Sequence, residues 1–62
     1  MKVEVRDREI IVTNDKFCAV YYKPAGQPQL ILKHRTRTED HALLARAWKA
    51  ASDTARELGW IV

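Results

Sequence analysis

The sequence predicts an α+β fold, in which an antiparallel β-meander of three to four strands is followed by one long C-terminal α-helix packed on one face of the sheet. Two observations support this prediction. Polar and apolar residues alternate along the first half of the chain, as in strands, and from about residue 36 apolar residues recur every three or four positions, as in a helix. A chain of 62 residues is expected to form a single domain, 1–62.

Turn-forming residues delimit the predicted strands. Asp7-Arg8 and Asn14-Asp15 mark two tight reversals, because short acidic and amide side chains tolerate left-handed backbone. Pro24 and Pro28 mark a longer break, since proline cannot donate a hydrogen bond to a sheet. Strands are therefore predicted over residues 2–6, 9–13, 16–23 and 29–34.

The helix has signals at both ends. Thr36 with Glu39 forms a possible capping box, and Thr38 is an alternative N-cap. Gly59 stands where a left-handed residue ends many helices, and Trp60 is expected to fold back in a Schellman-type ending. Apolar residues at helical spacing predict one buried face: Leu44, Trp48, Ala51, Ala55 and Leu58.

Tight turns fix strand register, and register decides which side chains share a face of the sheet. The predicted turns place Val12 opposite Phe17, and an unchanged parity across the proline loop places His34 opposite Phe17 as well. We call the face that the helix should cover face one, and Trp48 is expected to be its principal anchor. Face one is predicted to contain Val3, Val5, Ile10, Val12, Phe17, Ala19, Tyr21, Leu30 and Leu32, with Tyr21 opposite Leu30 and Ala19 opposite Leu32.

The opposite surface, face two, carries an apolar strip that a single helix cannot also cover. Such a strip faces water in a monomer unless a partner covers it. The leading hypothesis is a non-enzymatic protein-interaction or self-associating module that uses the outer sheet face, with a homodimer or another protein as partner. The candidate interface consists of Ile11, Cys18, Val20, Tyr22 and Ile31.

The charge is unevenly distributed along the chain. Residues 16–38 contain five bases and no acid, whereas residues 39–62 contain three bases and four acids. A meander gathers several of these bases at one end of the sheet, where phosphates would be attracted, although nearby acids weaken the effect. The alternative hypothesis is therefore a nucleic-acid-binding accessory protein, with candidate contacts at Lys16, Lys33, Arg35 and Arg37.

Enzymatic and metal chemistry find little support in the sequence. The predicted register places Cys18 on face two and His34 on face one, so the sheet would separate a nucleophile from its base. His34 and His41 are expected near each other, but two histidines without a spacing motif are a poor ligand set. We predict that the protein is not an enzyme and has no metal, cofactor or catalytic residue.

The expected location is the cytoplasm. The chain has a single cysteine, so it cannot close an internal disulfide, and no apolar run approaches the length of a signal segment or a spanning helix. We therefore predict no membrane association.

Four stretches of the chain carry a resemblance to other sequences: Ala45 to Ala51, Ala55 to Ile61, Lys23-Pro24 and Gln27 to Leu30. With these stretches the chain resembles a group of short uncharacterised bacterial proteins, over most of its length after residue 9. The resemblance implies a small bacterial protein and carries over no functional residue.

Overall fold

A computed structural model describes residues 1–61 of the chain. Four antiparallel strands form one sheet in the order β1-β2-β3-β4, and a helix follows them, which confirms the predicted fold class. The elements are β1 (Lys2–Arg6), β2 (Glu9–Asn14), β3 (Phe17–Tyr22), β4 (Ile31–Arg35) and α1 (His41–Glu57).

The first reversal is at the predicted residues, but the second is one residue later than predicted. Asp7 begins the first turn with a φ of 52°, and Asp15 begins the second with a φ of 49°. Because Asn14 remains in β2, the residue opposite Val12 is Ala19 and not Phe17. This correction shifts the pairing by two residues, so the side chains keep their predicted faces.

The pairing of β3 with β4 differs more, because the register shifts between Val20 and Tyr21. Tyr21 lies opposite Leu32 and not Leu30, and Ala19 lies opposite Arg35 and not Leu32. The bulge adds one residue to β4, so each later side chain of that strand points to the opposite face from the one predicted. His34 therefore lies opposite Val20 on face two, which corrects its predicted position opposite Phe17 on face one.

Asp40 is the N-cap of α1, which corrects the prediction of Thr36 or Thr38. Its carboxylate oxygen Oδ1 accepts a hydrogen bond of 3.0 Å from the backbone N–H of Leu43. Thr36 instead uses its hydroxyl oxygen to accept a hydrogen bond from the backbone N–H of Cys18. The hydroxyl of Thr38 accepts one from the backbone N–H of Asp40. Thr36 thus ties the segment after β4 to β3, and only Thr38 bonds to the residue that caps α1.

The C-terminal end of α1 confirms the predicted Schellman motif. Gly59 has a φ of 76°, and its N–H donates to the carbonyl of Arg56. The N–H of Trp60 donates to the carbonyl of Ala55 over 2.9 Å. These two bonds satisfy carbonyls that the end of a helix otherwise leaves without partners.

Small residues form the buried stripe of α1. Ala47, Ala51 and Ala55 are fully buried at four-residue spacing, whereas Trp48 is 46% exposed. The prediction that Trp48 anchors the core is therefore wrong. Alanines let the helix approach the sheet closely, and the neighbouring indole is left at the flank of the helix, where its ring contacts Tyr21 with centroids 5.6 Å apart.

The core lies between α1 and face one, and the helix packs mainly over β2. Val3, Leu43, Leu44, Trp60 and Ile61 are partly buried around it. The buried cluster consists of Ile10, Val12, Phe17, Ala19, Tyr21, Leu30, Ala47, Ala51 and Ala55.

Candidate protein interface

The structure places all five predicted interface residues together on face two. Ile11 lies opposite Val20 on the neighbouring strand, and Tyr22 lies opposite Ile31. Cys18 precedes Val20 by two residues on β3, so the side chains of both point to the same face. The strip thus runs across three strands, as the register analysis predicts.

The strip is less exposed than the sequence predicts. Val20 is only 6% exposed although no helix of the described residues covers it. Its neighbours on both adjoining strands, Ile11 and His34, flank it, and Cys18 and Tyr22 lie along its own strand. Those four neighbours shield its side chain, so the expectation that the strip simply faces water is wrong for its centre. The half-buried contact surface comes from Ile11, Cys18, Tyr22 and Ile31.

Charged side chains around the strip are paired within the chain. Lys2 lies 3.2 Å and Arg6 3.9 Å from carboxylate oxygens of Glu4. Lys33 donates a hydrogen bond to Glu9, and this bond raises the pKa of the Lys33 ammonium above its ordinary value. Each described glutamate on this face therefore has a basic partner, and the three bases and two acids at the border of the strip are all paired.

Two large apolar side chains that were predicted to lie under the helix are more exposed than the residues of the strip. Leu32 on β4 is 42% exposed and Val5 on β1 is 44% exposed, although both are on the helix side of the sheet. One helix packed over β2 leaves both edges of a four-stranded sheet partly uncovered. The sequence contained one sign of this exposure: it predicts a single helix, and one helix is narrower than four strands.

The candidate nucleic-acid contacts do not form one cluster. Lys16 and Arg37 line a groove of about 380 Å³, but Lys33 is bound to Glu9 on face two. Arg35 lies opposite Ala19 on the helix side, and its guanidinium donates to the Thr36 carbonyl. Only Lys16 and Arg37 of the four candidate contacts therefore lie together, which corrects the predicted basic end.

Arg46, which sequence reasoning did not select, joins Lys16 and Arg37 in that groove. It comes from the second turn of α1, and the groove brings it to the other two bases across a long sequence separation. Asp15 and Asp40 line the same groove. The groove therefore combines three cationic groups with two carboxylates.

Cys18 and His34 lie on the same face, contrary to the prediction. The bulge in β4 turns His34 toward face two, diagonally across from Cys18. Diagonal neighbours of this kind are about 7–8 Å apart between Cα atoms, a distance that aromatic and long side chains can span. Within residues 1–61, no hydrogen bond joins the two side chains.

Burial raises the pKa of the Tyr21 hydroxyl, and the nearby positive charge of Arg35 partly opposes this effect. This shift follows from the position of Tyr21 in the core, beneath Trp48.

Other features of the described chain add no site chemistry. In residues 1–61, histidine, cysteine and carboxylate side chains form no group of three or more that would hold a metal. A cleft of about 700 Å³ beside the first turn is lined by charges of both signs, including Arg8, Lys23 and Glu9. Over the same residues, α1 is too short and too polar to cross a membrane.

Comparisons of the chain with protein-family models, with curated proteins and with solved structures find no match. The function is therefore argued from the geometry of the strip on face two and of the groove around Lys16, Arg37 and Arg46.

Proposed function

We propose that this protein is a non-enzymatic interaction module that self-associates through face two of its sheet. The observation that carries the proposal is the strip itself. It combines a buried centre at Val20 with four half-buried apolar neighbours on a face that α1 does not cover. Hiding apolar surface from water yields about 25 cal/mol per Å², and a small domain gains from every such contact.

A second copy of the chain suits the strip because the charges at its border are paired within the chain. The acids Glu4 and Glu9 are each paired with a base of the same chain. Two copies related by a two-fold axis bring identical surfaces together, so an unpaired charge would meet its own copy and repel it. Paired charges avoid this penalty and can exchange partners across the contact.

The size of the face predicts a weak complex. Strands of five or six residues are about 17–20 Å long, and four strands at about 4.8 Å spacing give a face of roughly 300–400 Å². Stable complexes bury about 800 Å² per partner. Self-association is therefore expected to be transient and to require high protein concentration.

Sedimentation equilibrium of matched variants tests this proposal. Ile11→Lys puts a charge in the half-buried part of the strip, and Val5→Lys puts the same charge on the helix side of the sheet. The proposal predicts that wild type and Val5→Lys associate equally and that Ile11→Lys remains monomeric. Val20 is unsuitable because a charge at its buried position would also unfold the protomer.

Unfolding curves for both variants serve as the control, because both must remain folded at the temperature of the experiment. A wild-type protein that stays monomeric at about 1 mM, or an Ile11→Lys variant that associates normally, would contradict the proposal.

Nucleic-acid binding is a second candidate, favoured by the groove that holds Lys16, Arg37 and Arg46. Three phosphate contacts predict that the logarithm of the association constant falls against the logarithm of salt concentration with a slope of about minus 2.7. Arg46→Gln should lower that slope by about one unit, and Arg56→Gln, outside the groove, should leave it unchanged. If duplex DNA and RNA cause no NMR shifts at these three residues in low salt, this candidate is excluded.

A further inference from the structure

The second exposed surface of the molecule lies on the other side of the sheet, at β4. β4 is the last strand of the described sheet and pairs only with β3. An edge strand presents backbone N–H and C=O groups that can pair with another strand. β1, at the opposite edge, carries Lys2, Glu4 and Arg6 in mutual ion pairs. The bases of β4 have one sign, so they keep like-charged strands away from this edge and attract an acidic strand.

Apolar side chains remain exposed beside the β4 edge. Leu32 is 42% exposed and Trp48 is 46% exposed, and both adjoin Tyr21, which Leu32 opposes in the sheet and Trp48 contacts with its ring. Trp48 also lines a groove of about 320 Å³ that includes Pro28 and Leu30. A strand added to β4 would place alternate side chains on this apolar flank.

The same groove contains an independent sign of a missing partner. Ser52 lines it and is only 5% exposed, and its hydroxyl has no hydrogen-bond partner among the described residues. Buried polar groups are nearly always hydrogen-bonded, so this exception needs an explanation. The hydroxyl oxygen is enclosed in the free protein, so a ligand in the groove would supply the hydrogen bond after the serine side chain rotates toward it.

The charge at β4 selects the chemistry of the occupant. The strand contains Lys33, His34 and Arg35, Arg37 follows it, and residues 16–38 contain no acid. Lys33 is paired with Glu9 of β2. Arg56, which lines the groove, shares the carboxylate of Asp53 with Lys49, so two bases offset one acid there and the flank is net positive. An acidic partner would therefore be attracted, and a basic one would be repelled.

We propose that β4 binds an extended peptide segment with alternating apolar and acidic side chains, which adds a fifth strand to the sheet. Its apolar side chains pack on Leu32 and Trp48 on the helix side of the sheet, and its carboxylates alternate to the other side of the edge, beside Lys33 and His34. The apolar flank is on the opposite side of the sheet from the strip, so loss of peptide binding in Leu32→Ser and loss of self-association in Ile11→Lys are separate outcomes.

An NMR titration with a capped hexapeptide of alternating glutamate and valine tests the proposal. The amides of β4 and the indole N–H of Trp48 should shift, and the indole of Trp60 serves as an internal reference. Hydrogen exchange at the β4 amides should slow because the added strand bonds to them. A peptide with lysine in place of every glutamate should bind at least about tenfold more weakly.

Matched variants assign the site. Leu32→Ser should weaken binding of the glutamate peptide about tenfold, and Val5→Ser, equally exposed on the opposite edge strand, should leave it unchanged. Ser52→Ala removes only the hydroxyl and should weaken binding without loss of thermal stability.

Three outcomes would overturn the proposal. They are no shift at β4 in about 1 mM peptide, equal binding of the lysine peptide, and β4 shifts that follow protein concentration without any peptide. The last outcome would identify a second copy as the occupant of β4.

Discussion

Ala47 and Trp48 are neighbours on α1, and the core buries the smaller of the two. A helix turns about 100° per residue, so only one of two adjacent side chains can point straight at the sheet. Alanine at that position permits a close approach, and the indole is left to cover the edge of Tyr21. The spacing of apolar residues predicted a buried face, but residue size alone suggested the wrong centre for it.

Trp48→Ala should therefore cost less stability than a change in the true core. A half-exposed aromatic contact is expected to contribute about 1–2 kcal/mol, whereas Ile10→Ala at a fully buried position should cost about 2–5 kcal/mol. Urea unfolding of the two variants measures both values. A loss at Trp48 that equals or exceeds the loss at Ile10 would show that the indole is a core residue after all.

Asp53 provides a test of pH dependence at residue scale. The hydrogen bond from Lys49 lowers the pKa of its carboxyl group, and the charges of Lys49 and Arg56 act in the same direction. A lowered pKa in the folded state means that the stabilisation is present above the ordinary aspartate pKa near 4 and is lost as pH falls through the folded value. NMR titration should give a midpoint for Asp53 below the ordinary value, and Lys49→Gln should raise it. An unchanged midpoint in Lys49→Gln would refute this ion pair.

The helix C-terminus allows a prediction at the scale of a structural element. Gly59 has a φ of 76°, and a methyl group added there would meet no atom within 4 Å. Gly59→Ala should thus destabilise the protein by about 1 kcal/mol through backbone strain alone. Gly59→Asn should cost less, because asparagine tolerates left-handed backbone better. Thermal unfolding of the two variants checks the order, and equal stability of wild type and Gly59→Ala would contradict the left-handed ending.

Local sequence signals predicted the elements better than their pairing. The alternation in β1 and the glycine after α1 act through neighbouring residues, so they could be recognised in the sequence. The bulge between β3 and β4 depends on contacts across the long proline loop, and no local residue specified it. Its effect on His34 shows that one added residue changes the face of every position beyond it.

For the candidate site as well, the sequence predicted what depends on local alternation and not what depends on packing. The residues of the strip on face two can be predicted from the alternation of side chains along each strand. The two-residue shift between β2 and β3 leaves that alternation unchanged. The burial of Val20 and the exposure of Leu32 depend on which neighbours cover them and on the width of α1. Those are properties of the packed molecule and not of any sequence window.

For the whole molecule, the decisive feature is one helix on a sheet with two faces. α1 covers the middle of face one, which leaves Leu32 and Trp48 exposed at one flank and the strip uncovered on face two. The two surfaces differ in their charge environment. The charges around the strip are paired within the chain, which suits a second copy, and the flank at β4 is net positive, which suits an acidic strand.

An NMR dilution series of the wild-type protein, without any ligand, tests the central claim most directly. If two copies meet through face two, the side-chain resonances of Ile11, Tyr22 and Ile31 shift with concentration up to about 1 mM, and those of Val5 and Leu32 remain constant. Resonances of the strip that do not change over this range, or shifts confined to Leu32 and Trp48, would contradict self-association through face two.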